Sequence, residues 1–334
     1  MTASTETHPT PSDDRLGSLR SVDVVIPAYN EEECLPELAR RLALVFDAES
    51  AYDWRAIIVE NGSTDRSWQV LQEIAAADER FTIVRLSRNF HMDGGLTAGL
   101  EFATADAVVF MAADLQDPPE VIPEFLRHWE AGVHNVYGLV TERQGTGLLR
   151  RFNSQAFYWL ANRLTSGRMP RNVSDFRLMD RRLYETLRRM DERNRFMRGL
   201  AAWAGFESIG VPVPRVPRYG GSSKAYSFAV FGFAMRAIFA HTYLPLRIIT
   251  LIGVLFSFAS AIAFVVLFVI WETHGVPFAG FGSLVSLGLF SFGMLTVMLG
   301  VIAEYLGLIY EEVKRRPNFI VQETIGISKP ADRR

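Results

Sequence analysis

Short apolar runs alternate with amphipathic stretches through the first third of the chain. Val22-Asp23-Val24-Val25-Ile26 predicts a buried strand, and Pro27-Ala28-Tyr29-Asn30 the loop leaving its carboxyl end. Leu35, Leu38, Leu42, Val45 and Phe46 recur at three- and four-residue steps, predicting a helix to about Asp47. Glu31, Glu32 and Glu33 lie near its start, where the helix dipole favours negative charge. Ala56–Val59 reads as a second strand, Asn61–Asp65 as its turn, Trp68–Ala77 as a helix and Phe81–Leu86 as a third strand. Gly95–Ala103 reads as a further helix and Ala107–Met111 as a fourth strand. This alternation predicts an α/β fold with a mostly parallel sheet, whose polar loops gather at the carboxyl ends of the strands where ligands bind.

The pattern changes after Tyr226. Ser227–His241 holds Phe228, Val230, Phe231, Phe233, Met235, Ile238 and Phe239 with Arg236 as its one charge, which suits a helix in a membrane interface. Ile248–Ile270 and Phe281–Ala303 are uncharged runs, each longer than the roughly 20 residues needed to span the hydrocarbon core. Arg236 and Arg247 precede the first run, and Lys314, Arg315 and Arg316 follow the second. The loop between them carries Glu272 and His274 but no Lys or Arg, so both termini are expected in the cytoplasm. The expected organisation is a disordered N-terminal tail (1–20), a soluble domain (21–226), interfacial helices (227–247), two transmembrane helices (248–270 and 281–305) and a cytoplasmic C-terminal tail (306–334). The first 20 residues have no apolar core of the kind a signal peptide needs.

Composition narrows the function classes. Thirty-five Lys and Arg against 37 Asp and Glu leave a net charge of −2, without the global basic field of a nucleic-acid binder. The single cysteine, Cys34, excludes an intramolecular disulfide framework and a cysteine zinc cluster.

Three motifs in the soluble part are specific in combination: Pro27-Ala28-Tyr29-Asn30-Glu31-Glu32, Asn61-Gly62-Ser63-Thr64-Asp65, and Asp114-Leu115-Gln116-Asp117-Pro118-Pro119-Glu120. Together they resemble family 2 glycosyltransferases of the Rossmann-like GT-A fold. Ser174-Asp175-Phe176-Arg177, Arg218-Tyr219-Gly220-Gly221-Ser222-Ser223-Lys224, the two apolar runs and Lys314-Arg315-Arg316-Pro317 resemble the polyisoprenyl-phosphate branch, which includes dolichyl-phosphate mannose synthase and bactoprenol glucosyltransferases. The resemblance, from about Ser21 to Val321, implies an inverting enzyme in the cell membrane. It would move a sugar from a nucleotide diphosphate, UDP favoured and GDP-mannose allowed, to polyprenyl phosphate. It further implies Mg²⁺ or Mn²⁺, a homo-oligomer such as a tetramer, and a glycolipid flippase as pathway partner.

Residue by residue, the resemblance assigns Pro27, Tyr29, Glu31, Asn61, Asp65, Asp114, Gln116 and Lys224 to the nucleotide sugar. Asn61 and Glu60 stand where many relatives carry acidic residues. Asp114 and Gln116 are the expected metal ligands, because Mg²⁺ and Mn²⁺ prefer hard oxygen donors and take few protein ligands beside phosphates. The familiar Asp-X-Asp reads Ala112-Ala113-Asp114 here, so one carboxylate is missing. Asp117, before two prolines, is read either as a helix cap or as a catalytic group. Arg143, Arg150, Arg151, Arg177, Arg215, Arg218 and Ser223 are expected to hold the acceptor phosphate. Asp175 is the expected catalytic carboxylate, as general base or as orienting group, with Asp114 and Arg177 beside it; a structural salt bridge from Asp175 to Arg177 is the alternative. Phe196, Trp203 and Phe206, beside Arg195 and Arg198, read as core with a possible supporting place at the acceptor site.

Two rival functions stay open on sequence. A processive polysaccharide synthase shares the fold, but the chain has no Gln-X-X-Arg-Trp signature and few spans. A non-catalytic membrane scaffold with a degenerate nucleotide-sugar domain is suggested by Ala112 and Asn61.

Overall fold

The computed structural model describes residues 19–140, 173–193, 195–214, 244–274 and 280–328. Strands β1 (Arg20–Ala28), β2 (Tyr52–Glu60), β3 (Phe81–Leu86) and β4 (Ala107–Phe110) alternate with helices α1 (Leu35–Ala48), α2 (Ser67–Ala77) and α3 (His91–Phe102). A 3₁₀ turn (Pro119–Val121) and α4 (Ile122–Glu130) lead to β5 (Asn135–Val140). Beyond come β6 (Val173–Asp180), α5 (Arg181–Arg189), α6 (Met197–Trp203) and β7 (Ser208–Val213). Two long helices, α7 (Leu244–His274) and α8 (Phe281–Lys314), precede a last strand, β8 (Val321–Ile325).

The strands form one sheet in the order β7-β5-β6-β4-β1-β2-β3-β8. β1 pairs in parallel with β2 and β4, as do β2 with β3 and β5 with β7; β6 and β8 run antiparallel to their neighbours. The expected α/β, mostly parallel architecture is therefore present. Both faces of the central strands are buried: Val24, Ile26 and Ile58 face α1 and α4, while Val25, Ile57 and Val59 face α3 and α5. That two-sided burial is why these strands read as continuous apolar runs rather than as alternating ones.

Two differences from the sequence reading matter for the site. Helix α3 starts at His91, four positions before the expected Gly95. The adjacent Gly94 and Gly95 look like helix breakers, yet they stand in the first turn because packing demands small residues there. A Cβ on Gly94 would lie 2.7 Å from that of Phe90, and one on Gly95 2.8 Å from that of Pro27.

The second difference is at the C-terminus, expected to be a tail from residue 306. Helix α8 continues to Lys314, and β8 then joins the sheet beside β3, with Glu323 opposite Arg85. The Ser87 N–H donates to Ile320 O at 2.9 Å, and Phe319, Val321 and Ile327 pack against the core under α3. The chain thus returns from α8 to close an edge of its own sheet, which otherwise would expose unpaired N–H and C=O groups.

Within α8, Phe290–Lys314 is long and apolar enough to cross a membrane, and none of its most apolar stretch is buried in the protein. Among the described residues this is the one helix that meets that length and composition. Of the expected interfacial segment 227–247, residues 227–243 lie outside the described residues and 244–247 form the first turn of α7, while the expected tail residues 1–18 also lie outside them.

Candidate active site

The loops that follow β1, β2, β3 and β4 all leave the same end of the sheet. Three of them contain a residue with left-handed backbone, Asn30 (φ 55°), Gly62 (φ 70°) and Leu115 (φ 59°), and the loop after β3 ends on one, His91 (φ 62°), at the first position of α3. Non-glycine residues reach that region at a strain of order 1–3 kcal/mol each, and such strain gathers at functional sites. At Gly62 a side chain has no room, because a Cβ would strike the backbone of Arg88 and Asn89.

The first two loops are laced together. Asn30 donates through its backbone N–H to Ser63 Oγ at 3.1 Å, and its Oδ1 accepts from the Thr64 N–H at 2.8 Å. The Glu31 N–H donates to Ser67 Oγ at 3.0 Å. Asp65 accepts from the Ser67 N–H at 2.9 Å and from the Glu32 N–H at 3.3 Å, so it braces the turn and the start of α2.

Asn61 is likewise drawn into the scaffold. It is 2% exposed, its Oδ1 accepts from the Phe90 N–H at 2.9 Å and its Nδ2 donates to His91 O at 2.8 Å. Its amide thereby fixes the start of α3. Glu60 beside it accepts from the Ser63 N–H at 2.5 Å and pairs at 3.4 Å with Arg85, whose guanidinium lies 4.4 Å from the centre of the Trp68 ring.

Pro27 stands in a central strand where a proline would ordinarily remove a ladder bond. The β1–β4 pairing ends at Val25 opposite Phe110, and the Met111 N–H closes it on Val25 O at 3.2 Å. Pro27 therefore lies beyond the end of β4, beside the loop that carries Asp114. Tyr29 and Glu31 follow it, half-buried, at the same sheet end.

In that loop the Asp114 carboxylate accepts from the Gln116 backbone N–H at 3.1 Å, closing a local turn. Among the described residues no group of three His, Cys, Asp or Glu forms a metal cage. A carboxylate with an amide oxygen nonetheless suits a cation that completes its shell with phosphate oxygens and water. Asp117 does not cap the following helix. Its Oδ2 accepts from the Ala112 N–H and its Oδ1 from Ser174 Oγ, both at 3.3 Å, tying the β4 loop to the start of β6. Burial, with the charges of Asp114 and Asp175, pushes its carboxyl up to about 6.

On β6, Asp175 and Arg177 project from one face. Asp175 is paired with Arg198 of α6 rather than with Arg177: both guanidinium bonds measure 2.6 Å, and Arg198 also donates to Val173 O at 3.0 Å. Arg177 is 2% exposed and donates to Ser174 O at 3.1 Å, while its buried Nε has no hydrogen-bond partner among the described residues. Burial pulls its guanidinium down to about 10, and Asp175, Tyr137 and Asp93 are the anionic or ionisable groups around it. A buried cation with an unused donor is costly to the fold unless an anion completes it.

Arg198 and Asp93 stand beside these residues, and motif reading did not place either of them in the site. Arg198 sits in an Arg- and Phe-rich stretch that reads as core, and its link to Asp175 spans 23 positions. Arg143, Arg150, Arg151, Arg215, Arg218, Ser223 and Lys224 lie outside the described residues.

A mostly parallel α/β sheet whose strand ends gather strained loops is an architecture that binds ligands at the carboxyl ends of its strands. The chain belongs to glycosyl transferase family 2, whose domain matches residues 23–188. It is 38% identical over 307 residues to an uncharacterized glycosyltransferase of Synechocystis sp. (strain ATCC 27184 / PCC 6803 / Kazusa), covering 92% of this chain and 96% of that one. It is 33% identical over 308 residues to the bactoprenol glucosyl transferase of Shigella phage SfII, covering 91% and 98%. It is also 33% identical over 304 residues to a prophage bactoprenol glucosyl transferase homolog of Escherichia coli (strain K12), covering 90% and 98%. The protein is accordingly a glycosyltransferase.

Proposed function

We propose that the protein transfers a sugar from a nucleotide diphosphate to polyprenyl phosphate at the cytoplasmic face of the cell membrane. The observation that carries the acceptor assignment is Arg177, a buried guanidinium with an unpartnered Nε beside the Asp175–Arg198 pair. Relatives that match nearly the whole chain, including its apolar helices, are named for bactoprenol, a polyprenyl lipid.

The donor lies against Pro27, Tyr29 and Glu31, on a platform that Asn61 and Asp65 hold in shape, with Lys224 expected to close over it. Asp114 and Gln116 would hold a divalent cation, Mg²⁺ or Mn²⁺, which when bound offsets the charge of the leaving diphosphate. Arg177, with the expected Arg143, Arg150, Arg151, Arg215, Arg218 and Ser223, takes the lipid phosphate. That phosphate needs little deprotonation near neutral pH, since phosphate monoesters have a second pKa of about 6. Asp175 then acts by orienting Arg198 and the phosphate, which fits its bidentate pairing. A phosphate oxygen attacks the anomeric carbon as the nucleoside diphosphate departs, so one displacement inverts that centre.

Helices α7 and α8 serve as a two-span anchor, and the exposed apolar side chains of α8, such as Leu287, Phe290 and Val297, suit lipid contact. A homo-oligomer and a flippase downstream accord with this reading. The test is Asp114→Asn in the full-length protein. Transfer should fall by at least about 100-fold, the scale expected when charge stabilisation of the leaving group is lost, while membrane insertion is retained. Unchanged turnover removes Asp114 from the reaction.

A further inference from the structure

We propose that Asp93 is a positioning residue for the transfer reaction, joining the donor-side helix α3 to Asp175 through the first turn of α6. This role rests on the reading of β6 and α6 as the acceptor side of a polyprenyl-phosphate glycosyltransferase.

Asp93 stands in the first turn of α3, immediately after the loop braced by Asn61. Its side chain leaves its own helix, and Oδ1 accepts the Met197 N–H at 3.1 Å, across 104 positions of sequence. Met197 opens α6, and a helix cannot satisfy its own first N–H groups. The residue before it, Phe196, provides no capping side chain. Asp93 therefore caps α6 from outside, with a negative charge placed where the helix dipole favours one.

The next residue of that turn is Arg198, which makes the two 2.6 Å bonds to Asp175 and the third to Val173 O. Fixing the Met197 amide thus fixes the base of the side chain that holds Asp175. A continuous path results: Asn61 holds the start of α3, Asp93 holds the start of α6, and Arg198 holds Asp175. The charged groups facing Asp93 are Asp175 and Arg177 on β6, Arg198 of α6 and Arg195 just before that helix. No other part of the proposed reaction uses this carboxyl.

The test is steady-state transfer by full-length protein in detergent micelles. It uses undecaprenyl phosphate and whichever UDP- or GDP-sugar the wild type turns over. Asp93→Ala should lower kcat about 10- to 100-fold, the scale of a misplaced reacting group, with the nucleotide-sugar KM within about 2-fold. Asp93→Asn keeps an oxygen that accepts the Met197 N–H and should stay within about 3-fold of wild type. In the Arg198→Ala background, Asp93→Ala should add less than about 2-fold, because residues acting through one another are not additive. Asp93→Leu fills the same space without an acceptor and gives the same reading should the alanine variant not fold. Wild-type kcat in Asp93→Ala or Asp93→Leu, failure of Asp93→Asn to rescue, or fully multiplicative losses with Arg198→Ala overturns the proposal while the transferase reading stands. A wild-type protein that forms no glycolipid overturns both.

Discussion

At the residue scale, Arg177 and Asp93 show how the site opposes the stability of the fold. Arg177→Met replaces a buried cation, whose Nε lacks a partner among the described residues, by an apolar chain of similar length. Transfer should fall by at least about 100-fold, while the melting temperature holds or rises, because buried charges are often replaced without loss of stability. A thermal melt and a kinetic assay on the same preparation check both halves. Burial pushes Asp93 up to about 6 from the ordinary 3.8. Between those values the folded state retains a proton that the unfolded chain has released, so folding stability drops as pH rises through the folded pKa. Asp93→Asn removes that penalty. The variant should be more stable than wild type by up to roughly 2–3 kcal/mol at pH 7.5, since each tenfold change in proton affinity is worth about 1.4 kcal/mol, with the gain shrinking toward pH 4. Equal melting temperatures of variant and wild type at both pH 7.5 and pH 5 would show that the buried carboxyl carries no such penalty. Asp114, Asp175 and Arg177 were legible in sequence as motif residues. The Asp175–Arg198 and Asp93–Met197 contacts were not, since each joins elements whose proximity follows from the sheet order rather than from local spacing.

At the element scale, the strands and helices up to Phe110 follow the hydrophobic pattern closely, because a strand buried on both faces leaves a continuous apolar run. The start of α3 was hidden by Gly94 and Gly95, whose small size serves packing against Phe90 and Pro27. β8 was hidden for another reason: Val321-Gln322-Glu323-Thr324-Ile325 covers a sheet edge, stays partly exposed and mixes polar with apolar residues. Contacts from the end of α8 and from the segment before β8 also tie this region to the catalytic domain. The Arg193 N–H donates to Glu312 Oε1 at 2.7 Å and Asn318 Nδ2 to Glu192 O at 2.9 Å. Ending the chain after Arg316 should raise the nucleotide-sugar KM and the protease sensitivity of the catalytic domain, while the protein stays in the membrane fraction. Glu323→Gln should change stability by less than about 0.5 kcal/mol, because its 3.7 Å pair with Arg85 is half exposed. A truncated protein with wild-type kinetics and proteolysis would make β8 a passive edge.

At the scale of the whole molecule, the proposed reaction draws on one sheet, with the loops after β1–β4 as the proposed donor platform and β6 with α6 as the proposed acceptor side. β8 returns from the apolar helices to the edge of that sheet. The family and the general architecture were readable from motif order and apolar runs. The identity of the sugar was not, because none of the sequence motifs distinguishes one hexose from another. The central claim is group transfer to a polyprenyl phosphate, and the most direct measurement is transfer of label from a panel of UDP- and GDP-sugars to undecaprenyl phosphate by the purified full-length protein, with Mg²⁺, Mn²⁺ or chelator. The account predicts a labelled glycolipid that forms with one donor and is lost on chelation; nucleotide-sugar binding without product across the whole panel would contradict it and favour a non-catalytic scaffold.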